Sequence, residues 1–220
     1  MSDERLRELE RRARETHATD DQAAWLVERL RMGRLTRRRL EAAAHCGHEG
    51  ARLALGTKAP LPEPTRDWAR RLAEPGDREL TVVALTAIGR CLLEHCDGLT
   101  TDDGQRERVA LQRALLASIH AWRTSPGPDA REGVLQAARA RLHGPITPRT
   151  PIDWALQGAH TALGRAVDAI KSDDPDQHLR LASEGLGSAC ELGRRELLPA
   201  KLLVPAVCAD VLAWALADGP

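Results

Sequence analysis

The densest run of chemistry-bearing side chains is His45-Cys46-Gly47-His48-Glu49. Imidazole and thiolate are the two ligand types that zinc favours, and Cys and His at short spacing can supply half of a tetrahedral set. Cys91 and His95 share a helical face and, with Cys96, could supply the remainder. The spacing matches no zinc framework, however, and Gly47 marks an ordinary turn between two helices. His48-Glu49 is not followed by the second histidine of a zincin helix, and no pair of Glu-x-x-His helices is present for a di-iron bundle. The structural account of these residues therefore takes precedence, with a metal-binding or thiol-dependent enzyme or sensor as the alternative. No cofactor is expected.

Nucleophilic catalysis fares no better. His95, Cys96 and Asp97 are neighbours in sequence, and neighbours point to different faces of a helix. Ser118, Ser183 and Ser188 lack the strand-turn-helix elbow that presents a catalytic serine. Gly185-Leu186-Gly187 sits within a helical pattern, without the strand a dinucleotide loop requires. The expectation is a protein that is not an enzyme.

Two polar sets suit binding. Arg29, Arg31, Arg34, Arg37, Arg38 and Arg39 straddle a turn with no acid between Glu28 and Glu41, an edge able to hold an anionic ligand or an acidic protein. Asp153, Gln157 and His160 recur every three or four residues beside an apolar stripe, as a groove-lining face or a solvated one would. Asp210 lies in an otherwise apolar run and is expected to be a buried carboxylate, ion-paired with an Arg of a neighbouring helix.

The elements that must carry these residues are helices. The 220-residue chain has no Phe and no Tyr, so Leu, Ala, Val and five Trp must build its core, a choice that favours helix over strand. Charges balance at 32 basic and 32 acidic residues, which disfavours nucleic acid as a partner. Five cysteines, an odd number at irregular spacing, point to free thiols in a reducing cytoplasm. No run reaches the about 18 apolar residues of a membrane span.

Periodicity and punctuation predict ten to eleven helices, all-α, with short N-terminal helical hairpins packed against a longer-helix C-terminal bundle. Asp20 or Asp21 is expected to cap the second helix and Thr36 the third. Prolines near Pro60 and Pro148 divide the chain into a short-helix region over 1–56, a middle region over 65–143 and a three-helix region over 150–218, expected to pack as one compact body. Gly158, Gly164, Gly185 and Gly187 permit close helix approach, and Pro205 is expected to kink the last helix.

Three stretches carry a resemblance: Leu6–Arg12, Leu35–Leu40 and Ala44–Gly56, with the Ala121-Trp122 and Pro126 ending of a middle helix. They are similar to Ala- and Arg-rich helical proteins of myxobacteria and related GC-rich bacteria, some of which resemble immunity proteins that guard against toxins. The likeness covers residues 1–140 and fades beyond them. It carries no catalytic residue over to this chain. It implies a helical protein-protein interaction module, and in its specific form one that occludes a toxin.

Overall fold

The computed structural model describes residues 2–57, 63–74, 76–140, 150–194 and 200–217. The Lys58–Pro62 core of the first proline segment, and Gly144–Arg149 of the second, lie outside them. Among the described residues there are eleven helices and no strand. They are α1 Ser2–Thr16, α2 Thr19–Arg31, α3 Arg37–His45, α4 Glu49–Ala54, α5 Arg66–Ala73, α6 Arg78–His95, α7 Asp103–Thr124, α8 Pro128–Ala140, α9 Pro151–Lys171, α10 Pro175–Arg194 and α11 Ala200–Leu216. The all-α expectation is met.

The chain divides into two compact units. Unit 1 comprises Met1–Glu63 with Cys208–Pro220, and unit 2 is Pro64–Val207. The last turns of α11 therefore belong with the short N-terminal helices, and the middle and C-terminal segments otherwise share unit 2.

Unit 1 is made of short, charge-rich helices with narrow apolar stripes. Leu6 and Ala13 of α1, Ala23 and Leu26 of α2, Leu40 and Ala43 of α3, and Val211 and Ala215 of α11 are buried. Thr36 caps α3 as its sequence implies, its side chain accepting the Arg39 N–H at 3.2 Å. The start of α2 differs from expectation. The helix begins at Thr19 and its N-cap, Ala18, makes no side-chain bond. Asp21 instead accepts from Arg12 at 2.6 Å and Thr16 at 2.8 Å, contacts to α1 that local pattern does not reveal. Gly50 lets α4 lie against α2, since a Cβ there would sit 2.7 Å from the Gln22 Cβ.

Unit 2 is built on α6, a helix buried on nearly every side, from Leu80 through Leu93. A helix apolar all round belongs in a core, and α7, α9 and α10 pack about it. Close approach is made by leucines seated against glycine. A methyl group at Gly89 would lie 2.7 Å from Leu163 Cδ2, and one at Gly158 would lie 2.9 Å from Leu92 Cδ1. Gly185 makes the corresponding space on α10 for Leu85. The buried His178 ties two turns of this unit together. Its Nδ1 lies 3.3 Å from the Gly76 carbonyl, and its Nε2 lies 3.0 Å and 3.2 Å from those of Ser172 and Ala169.

Candidate functional site

The arginine edge is largely committed within unit 1. Arg29 is 1% exposed and gives its terminal nitrogens to the carbonyls of Leu216 and Ala217, at 2.8 and 2.9 Å. It also stacks on Trp25, 4.9 Å from the ring centre. Arg29 is thus a cap for the C-terminal end of α11 and not a surface cation, because those orphan carbonyls need donors. Arg31 pairs with Glu28 at 2.6 Å, Arg34 with Asp3 at 2.9 Å and Arg37 with Glu41 at 2.9 Å. The Glu28 carboxyl is held below its ordinary range by the Arg31 guanidinium. Arg39 stacks on Trp214 at 5.0 Å. Arg38 is exposed. The acids of α1, α2 and α3 thus neutralise much of this edge.

The His45–Glu49 turn is likewise accounted for by local structure. His48 is the N-cap of α4, its Nδ1 accepting the Ala51 N–H at 3.0 Å, and burial lowers its pKa from the ordinary 6.5. Gly47 has φ +94°, the left-handed turn expected between two helices. His45 is half-buried, in the last turn of α3. Cys46 is the C-cap of α3, and the Cys208 thiol of α11, together with burial, raises its pKa. In unit 2, Cys91 is buried and His95 half-buried. Cys96 is buried too, and burial, aided by the Asp97 charge, pushes its thiol up to about 11, where it is unreactive. Asp97 itself is ion-paired with Arg113. Among the described residues no three His, Cys, Asp or Glu side chains converge as a metal's ligand set.

The third candidate set, on α9, is rearranged most. Thr150 caps this helix with a full capping box. Its hydroxyl accepts the Asp153 N–H at 3.2 Å, and Asp153 Oδ2 accepts the Thr150 N–H at 3.0 Å. Asp153 Oδ1 accepts from Gln105 Nε2 at 3.2 Å. Asp153 is therefore a buried structural residue and does not belong to a surface stripe. Gln105 Oε1 in turn accepts the Thr101 N–H at 3.0 Å, and Gln112 Nε2 of α7 donates to the Leu156 carbonyl at 3.2 Å. Two buried glutamines thus bolt the first turns of α9 to α7.

With Asp153 turned inward, the next residue is turned out. Trp154 is 65% exposed, the most exposed of the large apolar side chains described. One and two turns on, the same face carries Gln157 and Thr161, whose hydroxyl donates to the Gln157 carbonyl at 2.9 Å. Farther along, Arg165 pairs with Glu184 at 3.2 Å. His160 is half-buried at the margin. The Thr101–Gln105–Asp153 chain also brings the loop after α6 to this end of the unit, and Leu99 in that loop is 44% exposed. The arrangement is an indole held on a rigid helix, with a polar surround and a second exposed apolar residue on the adjoining loop. The sequence reading missed Trp154. The signal was available, since its helical phase puts it with Gln157 rather than with Ala155, Leu156 and Ala159.

A cleft of about 510 Å³, lined by Arg78, Trp122, Pro126, Arg131, Glu132 and Leu135, lies elsewhere in unit 2. Its cations are engaged: Arg78 pairs with Asp173 at 2.5 Å and lies over Trp122, and Arg131 donates to the Lys171 carbonyl at 2.6 Å.

No family model, curated protein or solved structure matches the chain.

Proposed function

We propose that the chain is a non-enzymatic protein-binding module that engages a protein partner through the outer face of α9, with Trp154 as the anchor. The observation that carries the reading is the exposure of Trp154, at 65%, on a helix whose first turns are fixed from behind. Exposing an indole to water is costly, and Trp is enriched among the few side chains that dominate binding energy in interfaces. Preorganisation matters as much. A side chain already held in place loses little entropy on docking. The surrounding Gln157, Thr161 and Arg165–Glu184 pair are the polar rim such an anchor has in a non-obligate interface. In its specific form, supported by the resemblance in residues 1–140, the module is an immunity-type protein that occludes a toxin and holds it in a stable complex without turnover.

A photo-reactive amino acid at position 161, expressed in the native host, captures the partner for identification. The purified pair is then titrated with wild type, Trp154→Ala and Trp154→Asp. The expected loss for Trp154→Ala is about 2 kcal/mol or more, about 30-fold in Kd, with an unchanged thermal midpoint. Equal affinity of wild type and Trp154→Asp would overturn the assignment.

A further inference from the structure

We propose that the cleft between the end of α7 and one face of α8 is a ligand site for a small organic acid, a flat apolar body carrying one carboxylate. The site lies within unit 2 and uses none of the residues on the outer face of α9, so it is separate from the docking role of Trp154. Its volume, about 510 Å³, falls in the range of pockets that enclose small molecules. The walls are apolar and fixed. Trp122 and Ile170 are buried, so the core holds both in place. Pro126 and Pro128 flank Gly127 in the turn that forms one lip, and their rings lock its backbone. Pro128, Arg131, Glu132 and Leu135 recur at the spacing of a single helix face, which is why α8 presents all four to the cleft.

Charge decides what enters. The two cations of the cleft are held at one end of it, because Arg78 bonds to Asp173 and Arg131 to the Lys171 carbonyl, acceptors two residues apart where α9 ends. The acids beside them are already paired: Glu132 with Arg139 at 3.2 Å and Asp173 with Arg78 at 2.5 Å. Arg131 has no carboxylate partner among the described residues, since its Nη2 bond is to a neutral carbonyl. A guanidinium without a counter-charge beside apolar walls is complementary to an anion, and its flat fork matches a carboxylate. Arg78 supplies the second donor. Its partner Asp173 is exposed, and an exposed ion pair is weak enough for a ligand carboxylate to replace it. Arg78 also lies over Trp122, 5.8 Å from the ring centre, which places the carboxylate beside the indole. The apolar body then extends along Leu135 and the two prolines. An inorganic anion has no group to fill that part of the cleft, and a neutral molecule leaves Arg131 unmatched.

The test titrates the full chain with 2-naphthoate, its neutral counterpart 2-naphthamide and inorganic phosphate. Calorimetry reads affinity, and the methyl signals of Leu135 and Ile170 in NMR spectra read location. 2-Naphthoate is expected to bind with a Kd of about 1 mM or tighter, to shift both methyl signals, and to exceed each of the other probes about tenfold or more. Arg131 is exposed, so Arg131→Gln is expected to keep the thermal midpoint. It should weaken 2-naphthoate about tenfold and leave 2-naphthamide unchanged, and Arg131→Lys should restore part of the loss. Four results would overturn the proposal: no binding of 2-naphthoate, equal affinity for it and either other probe, binding that leaves Leu135 unshifted, or full affinity in Arg131→Gln. The comparison of probes on wild type decides even where a variant folds poorly.

Discussion

In unit 1 a buried guanidinium gives two hydrogen bonds to the carbonyls that end α11. In unit 2, leucines of neighbouring helices are seated where glycine leaves room, as Leu163 is at Gly89 and Leu92 at Gly158. The difference follows from helix length. Helices of 6 to 15 residues, as in α1 to α4, have many ends for their apolar area, and each end leaves carbonyls without intrahelical partners. Arginine meets that need, and its aliphatic stem and flat head also cover Trp25 and Trp214. Helices of 18 to 22 residues, α6, α7 and α9, bury continuous stripes, and there the limiting quantity is how near two backbones can come.

Removing Arg29 should have the largest effect. Arg29→Ala is expected to cost about 3–5 kcal/mol, since two carbonyls at the end of α11 lose charged donors worth about 1.5–3 kcal/mol each. Arg29→Lys should recover less than half, because a single ammonium cannot reproduce the fork. Hydrogen exchange separates the units: protection should fall in α2 and over Cys208–Leu216 while α6 is unaffected. An Arg29→Met chain as well protected as wild type would show that volume, and not the guanidinium, holds unit 1.

The matching perturbation of unit 2 is Gly89→Val, expected to cost about 1–3 kcal/mol by overpacking against Leu163. Loss of exchange protection should be confined to α6 and its neighbours. Combining it with Leu163→Ala should be less damaging than the two single effects added, and strict additivity would argue against a direct seat.

The smallest effect is a pH dependence in unit 1. Burial depresses the His48 pKa, and the neutral ring accepts the Ala51 N–H. A group whose pKa is lower folded than unfolded contributes its stability above the unfolded value, here 6.5, and that contribution is lost as pH falls through the folded value. The loss should be under about 1 kcal/mol, because the ring is half-exposed and a cap is worth about that much. Urea midpoints between pH 7 and pH 5 should decline in wild type and stay flatter in His48→Asn, which keeps a capping oxygen. Parallel declines would assign the effect elsewhere.

Much of the fold was legible from residues close in sequence. Thr36, Asp77 and Thr150 cap the helices they precede. The α9 stripe from Ala155 through Ile170 is buried as its period predicts. Misreadings cluster at polar residues. Asp20 and Asp21 were legible as caps and are not, because α1 offers Asp21 a better partner. Asp210, expected to be buried, is half-exposed. Gln105 and Gln112 are buried though no apolar pattern marks them, because each finds an acceptor on α9.

The His45–Glu49 turn shows both halves of the division. The sequence by itself determined that α3 ends there, that Gly47 turns the chain and that the composition makes helices. These depend on backbone preferences and on hydrogen bonds spanning four residues or fewer. Only the tertiary structure decided which side chains meet. It brought the Cys208 thiol near enough to Cys46 to raise its pKa, turned Arg29 and Asp153 inward, and left Trp154 in solvent. A polar group is buried only where a distant donor or acceptor arrives to satisfy it, and one helix's pattern does not say which partner another helix brings.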